Sequence, residues 1–299
     1  MAPAHSLQTT QDDGLPHEQA CSCYMTLQTA LLQGTQILDD GGIAAPRLTA
    51  EVLLAHACRA SRSYLYGHSE RDLKEVEWIH YGRYLHERLG GKPTQYITGR
   101  QEFYGREFRV TPDVLIPRPE TEHLVEAAVK SVGRDARVVD VGCGSGAIAV
   151  SIALELGTRV VGCDISPAAI RVARRNALNL GAAVDFVAGD LLAPFGEASL
   201  DAVLSNPPYV PLDSREGLQR EVRDFEPAVA LFGGPGGNEI YARLTAEAAR
   251  KLKPGGWLMM ELGFGSLDAV LEMTQTGWRD VAVTDDLAGI PRVLSARRL

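Results

Sequence analysis

Two different rhythms of apolar and polar residues divide this chain. Between about residues 24 and 91, apolar positions recur at helical spacing. A first helix is predicted over 24–39, stopped by Gly41-Gly42, which supply the left-handed backbone of a helix end. Pro46 opens a second helix, with Leu48, Val52 and Ala55 at helical spacing. A third follows Asp72, with Trp78, Tyr81, Leu85 and Leu89 on one stripe and Gly90-Gly91 as its stop. Together they make a small bundle in which Trp78 and Tyr81 read as core residues.

From Tyr96 to Val110 the pattern changes to aromatic and β-branched residues broken by Gly99 and Gly105, which predicts a hairpin. Ile116-Pro117-Arg118-Pro119-Glu120-Thr121 then leads into a helix ending near Val132. Beyond it, strands are predicted at 136–141, 159–163, 184–187, 200–204, 257–262, 280–284 and 293–296, with helical stretches between most of them. Alternation of this kind calls for a mostly parallel sheet covered by helices on both faces. Ligands of such sheets bind beyond the carboxyl ends of the strands. The expected organisation is a disordered tail over 1–22, a helical domain over 23–93, a hairpin linker over 94–115 and a Rossmann-like α/β domain over 116–299.

Composition narrows the class of protein. Of 299 residues, 45% are hydrophobic and 23% charged, ordinary values for a soluble chain that buries a real core. No stretch approaches the roughly 18 consecutive apolar residues of a membrane helix. The first two dozen residues carry Asp12, Asp13 and Glu18 and no apolar run, so they read as neither a secretory signal nor an Arg-rich transit peptide. A cytosolic location is expected. The formal charge of -8 argues against a direct nucleic-acid partner. The 5 cysteines form no CxxC pair, Cys21-Ser22-Cys23 lies beside the tail, and the 7 histidines show no HExxH, so no protein-bound metal is expected. A monomer is the default.

Candidate chemistry gathers at the strand ends. Val138-Val139-Asp140-Val141 is a buried strand followed at once by Gly142-Cys143-Gly144-Ser145-Gly146 and an apolar helix. Glycines there let the backbone turn tightly and approach a nucleotide-like ligand at a helix N-terminus. The loop alone is ambiguous, because Gly142, Gly144 and Ala147 also fit the dinucleotide fingerprint GxGxxG/A. Asp164 ends the second strand, where a carboxylate accepts both ribose hydroxyls or caps the helix behind Ser166-Pro167. Asp190 ends the third strand in Gly189-Asp190-Leu191. It can accept from an adenine amino group, with Leu191 against the ring, or serve as a turn residue. NAD and S-adenosylmethionine both contain adenosine, so neither carboxylate separates them.

Asn206-Pro207-Pro208-Tyr209 does separate them. It follows the strand through Ala202-Val203-Leu204-Ser205, on the same sheet edge. Two prolines remove two N–H donors and leave carbonyl oxygens as the polar main-chain groups. Asn206 adds a side-chain carbonyl and Tyr209 a flat apolar face. Such a site suits a planar group bearing an NH₂ held between two acceptors.

With these residues in view, the chain resembles the HemK-like family of release factor glutamine methyltransferases over nearly its whole length after the tail. Asn-Pro-Pro-Tyr is shared with methyltransferases acting on DNA and protein nitrogens. More specific are Ile116-Pro117-Arg118-Pro119-Glu120-Thr121-Glu122, Glu221-Val222-Arg223-Asp224-Phe225-Glu226-Pro227 with Leu231-Phe232-Gly233-Gly234, and Asp286-Leu287-Ala288-Gly289. Ala45-Pro46-Arg47-Leu48 and Gln95-Tyr96-Ile97 resemble this family's substrate-recruiting domain. The resemblance implies a class I methyltransferase sheet of seven strands, one antiparallel, and S-adenosylmethionine as methyl donor. It implies as substrate the glutamine of the Gly-Gly-Gln loop in class I peptide chain release factors. By motif match, Gly142, Cys143, Gly144, Ser145, Gly146 and Asp164 hold the cofactor, Asp190 and Leu191 the adenine, and Asn206, Pro207, Pro208 and Tyr209 the glutamine, with Asn206 also touching the cofactor. Cys143 stands where the family usually has Thr, Phe264 where Tyr is commoner, and Gly237-Asn238-Glu239-Ile240-Tyr241 is an unusual version of its segment.

Other readings fit less of the chain. A DNA adenine methyltransferase would want a basic recognition segment. A ribosomal-protein glutamine methyltransferase is nearer, but the Pro-Arg-Pro-Glu-Thr-Glu segment looks more like the release factor branch. A non-catalytic nucleotide-binding module and an NAD oxidoreductase both leave Asn-Pro-Pro-Tyr unexplained.

Overall fold

The computed structural model describes residues 25–299. The expected tail, the Cys21-Ser22-Cys23 group and the start of the first helix at Tyr24 lie outside the described residues.

The front of the chain folds into helices α1 (Leu27–Asp40), α2 (Pro46–Cys58), α3 (Arg62–Gly67), α4 (Glu75–Leu89) and α5 (Thr94–Thr98). Thr26 caps α1 by accepting from the Thr29 N–H at 3.2 Å, and Pro46 sits in the first turn of α2 as the sequence predicts. Leu27, Leu38, Leu53, Leu54, Tyr81 and Leu85 form the core of the bundle. Gly34 lets α1 approach α4 closely, since a Cβ there would lie 1.9 Å from the Tyr81 hydroxyl oxygen.

Two expected stripes are corrected. Leu48 is 46% exposed, whereas Ala50, Leu53 and Leu54 are fully buried. Helix α2 touches α1, α3, α4 and α5, so its buried face is set by several neighbours rather than by one stripe. Trp78 is 37% exposed and meets Tyr81 at a ring-centroid distance of 6.4 Å, at the rim of the bundle rather than in its core. Helix α3 is absent from the pattern-based expectation, and Tyr96 lies on helix α5 rather than in a strand. The hairpin begins later, as β1 (Arg100–Phe103) and β2 (Arg106–Arg109), paired antiparallel.

A 3-10 turn at Pro119–Thr121 leads into α6 (Glu122–Ser131). Then follow β3 (Val138–Val141), α7 (Ala147–Leu156), β4 (Val160–Asp164), α8 (Pro167–Leu180), β5 (Val184–Ala188) and β6 (Leu200–Ser205). A short excursion carries β7 (Val210–Pro211), α9 (Arg220–Phe225), α10 (Ala228–Leu231) and β8 (Phe232–Gly234), with β7 and β8 paired parallel. The chain ends with α11 (Glu239–Lys251), β9 (Leu252–Glu261), α12 (Leu267–Met273), β10 (Trp278–Asp285) and β11 (Pro291–Arg298).

Each of the seven expected strands is present, in the order β10-β11-β9-β6-β3-β4-β5. Strand β11 is antiparallel to both of its neighbours, and the five strands from β9 to β5 run parallel. One face buries Leu124, Val125, Ile148 and Ile152 of α6 and α7; the other buries Tyr241, Leu244 and Val270 of α11 and α12. Burial of both faces accounts for the continuous apolar runs of the central strands.

A further cluster joins the two parts. Tyr96 packs with Val110, Val114 and Ile116 against Ala169 and Val172 of α8. The Tyr96 hydroxyl donates to the Val114 carbonyl at 2.5 Å, and Arg88 of α4 pairs with Glu221 of α9 at 2.7 Å.

Candidate active site

Strand register builds the site. Val141 pairs with Cys163 on one side and Ser205 on the other, and Ser205 pairs with Met260. The residues that follow this row are Gly142, Asp164, Asn206 and Glu261, so four loops leave the carboxyl edge of the sheet side by side. Ser205 ties two strand ends together by donating to the Val141 carbonyl at 2.7 Å.

A cavity opens above this row. Gly142, Gly144, Asp164, Asp190, Leu191, Asn206 and Pro208 line it, with Val114, Leu115, Ile165, Val229 and Ile240 as apolar walls. Cys143, Ser145 and Gly146 lie behind the wall rather than on it. Cys143 is 6% exposed, and its sulfur would lie 3.2 Å from a Cβ placed on Gly162. Burial pushes its thiol well above the usual range. The Ser145 carbonyl accepts from Asn176 Nδ2 at 2.9 Å. Gly146 has φ +81°, and a Cβ there would stand 3.1 Å from that of Ala173, so it fixes both the left-handed turn and the approach of α8.

Asp164 organises the loops around it. One carboxylate oxygen accepts from the Gly144 N–H and the other from the Ser166 N–H, both at 2.8 Å. Ser166 caps α8 through its own hydroxyl, accepting from Ala169 N–H at 3.2 Å. A carboxylate has about four acceptor directions, so Asp164 retains capacity for a ligand's hydroxyls. Asp190 meets Arg243 at 2.7 Å on the half-exposed rim. Leu191 holds a positive φ of 48°, unusual for a branched side chain, and lines the cavity beside it.

The Asn-Pro-Pro-Tyr turn is held from behind by glycines. A Cβ on Gly233 would lie 2.5 Å from the Pro208 oxygen, and one on Gly237 would lie 2.5 Å from the Tyr209 oxygen. Pro207 is buried, and Tyr209 lies against Gly263. Desolvation pushes the Tyr209 phenol up to about 12, so it stays neutral. Asn206 Nδ2 donates to Thr121 Oγ1 at 3.1 Å, and Thr121 donates in turn to Glu261.

Several residues at the site escape a reading of the sequence. Asp140 is fully buried under the glycine loop; one oxygen accepts from the Ala149 N–H at 3.0 Å and the other has no partner among the described residues. Burial pushes its carboxyl up to about 7. Glu261, 3% exposed, is pushed to about 7 by the same cause. Asn176 links the Arg109 main chain of the hairpin to the glycine loop. Acids inside the runs Val-Val-Asp-Val and Met-Met-Glu-Leu are the available signals for the first two, because an unpaired acid is costly in such surroundings.

The fit to S-adenosylmethionine rests on these features. The orphaned, buried carboxylate oxygen of Asp140 is an acceptor lacking a donor, beneath a loop whose two cavity-facing glycines leave room for a ligand. Acceptors at Asp164 and Asp190 and the apolar walls between them suit an adenosine. No group of His, Cys, Asp and Glu able to hold a metal ion occurs among the described residues. No helix there is long and apolar enough to cross a membrane.

Known proteins are similar to this chain in sequence and in fold. Residues 29–99 match the PrmC N-terminal domain and residues 119–220 the methyltransferase small domain. A release factor glutamine methyltransferase of Koribacter versatilis is 44% identical over 92% of this chain and 99% of its own length. One from Geobacter sulfurreducens is 43% identical over 87% and 92%. Among solved structures, a methyltransferase from Pyrococcus furiosus shares the fold with a TM-score of 0.50 at 19% identity, covering 66% of this chain and 90% of its own. With identity at this level across both parts of the chain, the protein belongs to the family of release factor glutamine methyltransferases.

Proposed function

We propose that this protein transfers a methyl group from S-adenosylmethionine to the side-chain amide nitrogen of the glutamine in the Gly-Gly-Gln loop of class I peptide chain release factors. The observation that carries this reading is the setting of Asn206. Its NH₂ is committed to Thr121, which leaves its carbonyl oxygen as an acceptor beside the cavity shared with Gly142, Gly144 and Asp164.

S-adenosylmethionine supplies a methyl group activated by a sulfonium. Gly142, Gly144, Asp164, Asp190 and Leu191 hold it, with Asp140, Cys143, Ser145 and Gly146 supporting the loop from behind. An amide nitrogen is a poor nucleophile because its lone pair is delocalised into the carbonyl. The Asn206 side-chain oxygen and the Pro207 main-chain oxygen accept the two amide hydrogens. This turns the lone pair toward the cofactor and stabilises positive charge developing on nitrogen. Tyr209 and Pro208 flank the planar amide. Fixing the two reactants in line contributes up to roughly 7–11 kcal/mol.

Residues 116–299 act as the catalytic domain, and the hairpin linker over 94–115 also carries part of the cavity wall. The helical domain over 23–93 recruits the substrate protein; Leu32, Leu48, Tyr66, Val76 and Ile79, all exposed there, supply apolar contact surface. The protein acts as a cytoplasmic monomer without direct contact to nucleic acid. A competition assay tests the choice of substrate. With labelled S-adenosylmethionine and equimolar purified release factor and ribosomal proteins, label accumulates on the release factor; label on a ribosomal protein instead overturns the assignment.

A further inference from the structure

The two ends of an asparagine amide have nearly the same shape, so packing alone does not decide which end faces a ligand. Hydrogen bonding must decide it. Asn206 meets Thr121 Oγ1 through Nδ2 at 3.1 Å, and Thr121 Oγ1 meets Glu261 Oε2 at 2.5 Å. Thr121 and Glu261 are 4% and 3% exposed, so water does not substitute freely for either contact.

A hydroxyl has one proton and an ionised carboxylate only accepts. With Glu261 ionised, the Thr121 proton points to Glu261 and the Thr121 lone pairs face Asn206. Only the NH₂ end of Asn206 matches that partner, and its oxygen is turned toward the cavity. Protonation of Glu261 at Oε2, the oxygen that meets Thr121, reverses the chain: the carboxyl donates to Thr121, whose proton is released toward Asn206. The carbonyl end of Asn206 then becomes the matching partner, and an NH₂ group confronts the substrate's own NH₂.

We propose that Thr121 and Glu261 are positioning residues that hold Asn206 in the one amide orientation able to accept the substrate's N–H, so that turnover requires Glu261 to be ionised. This rests on the reading of Asn206 as the acceptor of the substrate amide.

The surroundings of Glu261 suit such control. Glu120 and Arg118 face it from the turn before α6, Arg292 from β11 and Tyr209 from the Asn-Pro-Pro-Tyr turn. Arg292 is held by Asp286 at 2.8 Å and Arg118 is paired with Glu226, so neither cation is dedicated to Glu261. Tyr241 of α11 donates to the Glu261 main-chain oxygen at 2.8 Å and accepts from Gly263 N–H at 3.0 Å, which fixes the backbone that carries the carboxylate. Burial raises the carboxyl to about 7, with Glu120 adding to the effect and Thr121, Arg292 and Arg118 opposing it.

The test compares kcat, KM and cofactor affinity against pH for the intact protein and its Thr121→Val, Thr121→Ser, Glu261→Gln and Asn206→Ala variants, with a purified release factor as substrate. The intact enzyme loses kcat as pH falls through about 7. Thr121→Val lowers kcat at pH 8 by about 10- to 100-fold, leaves KM and cofactor affinity within about twofold, and abolishes the acid limb. Thr121→Ser restores both rate and limb, and Glu261→Gln gives a low rate independent of pH. If Asn206→Ala is impaired while Thr121→Val matches the intact enzyme in rate or keeps its acid limb, the positioning role is wrong although the site stands. If Asn206→Ala itself turns over normally, the reading of the site fails first.

Discussion

Gly263 lies against the ring of Tyr209 so closely that a Cβ would stand 2.4 Å from Tyr209 Cδ2. Glu261, two residues earlier, anchors the chain that reaches Asn206, so one stretch supports both ends of the Asn-Pro-Pro-Tyr turn. Gly263→Ala should push the ring toward the substrate position. The expected result is a fall in kcat/KM for the release factor of about 10- to 100-fold, with cofactor affinity retained. Steady-state kinetics beside a cofactor titration checks this; unchanged kinetics would mean that the ring forms no substrate wall.

Removing the acceptor itself should cost more. Asn206→Ala should lower kcat by about 10²–10³, the usual loss for one preorganised polar contact. Because the cofactor loops are held separately by Asp164, S-adenosylmethionine should still bind, which calorimetry would report.

Asp140 ties stability to pH. Its carboxyl is raised by burial to about 7, so the folded state favours the protonated form. The stability contributed is complete below the ordinary carboxylate value and is lost as pH rises toward 7. A rise of that size corresponds to at most about 4 kcal/mol. Asp140→Asn should therefore flatten the fall in unfolding free energy between pH 5 and 8 and leave the cofactor-free protein more stable than the parent at pH 8. Denaturant unfolding at both pH values is the check.

Tyr96 of α5 ties the front of the chain to the cavity wall. Its hydroxyl holds the Val114 carbonyl, and Val114 lines the cavity. Tyr96→Phe leaves that buried carbonyl without its donor and should cost about 1–3 kcal/mol of stability. It should also weaken cofactor binding, whereas a purely local loss would leave the dissociation constant unchanged.

Periodicity carries most of the fold. Val138, Val139 and Val141, and Ala202 to Leu204, are apolar because both faces of the sheet are covered, and each strand is followed by a turn whose residue types announce a ligand. Helix α2 is legible in position but not in phase, because several neighbours share its burial and Leu48 is left outside. Helix α5 is hidden inside an aromatic, β-branched segment that reads as strand by local propensity. At the site, motif residues are legible while their supports are not. Thr121 lies in a quoted motif, but its partners, like those of Asn176 and Glu261, stand 31 to 140 residues away, through hydrogen bonds that no local pattern records. Cys143 and Ser145 alternate with Gly142 and Gly144 in a tight turn and so face the other side, while Gly146 opens α7 against Ala173 of α8.

The central claim is best tested with purified protein, methyl-labelled S-adenosylmethionine and two copies of a class I release factor, one carrying Gly-Gly-Gln and one Gly-Gly-Ala. Label on the first and none on the second is the predicted result, establishing donor, reaction and residue together. Label on both, or on neither despite demonstrated cofactor binding, would contradict it.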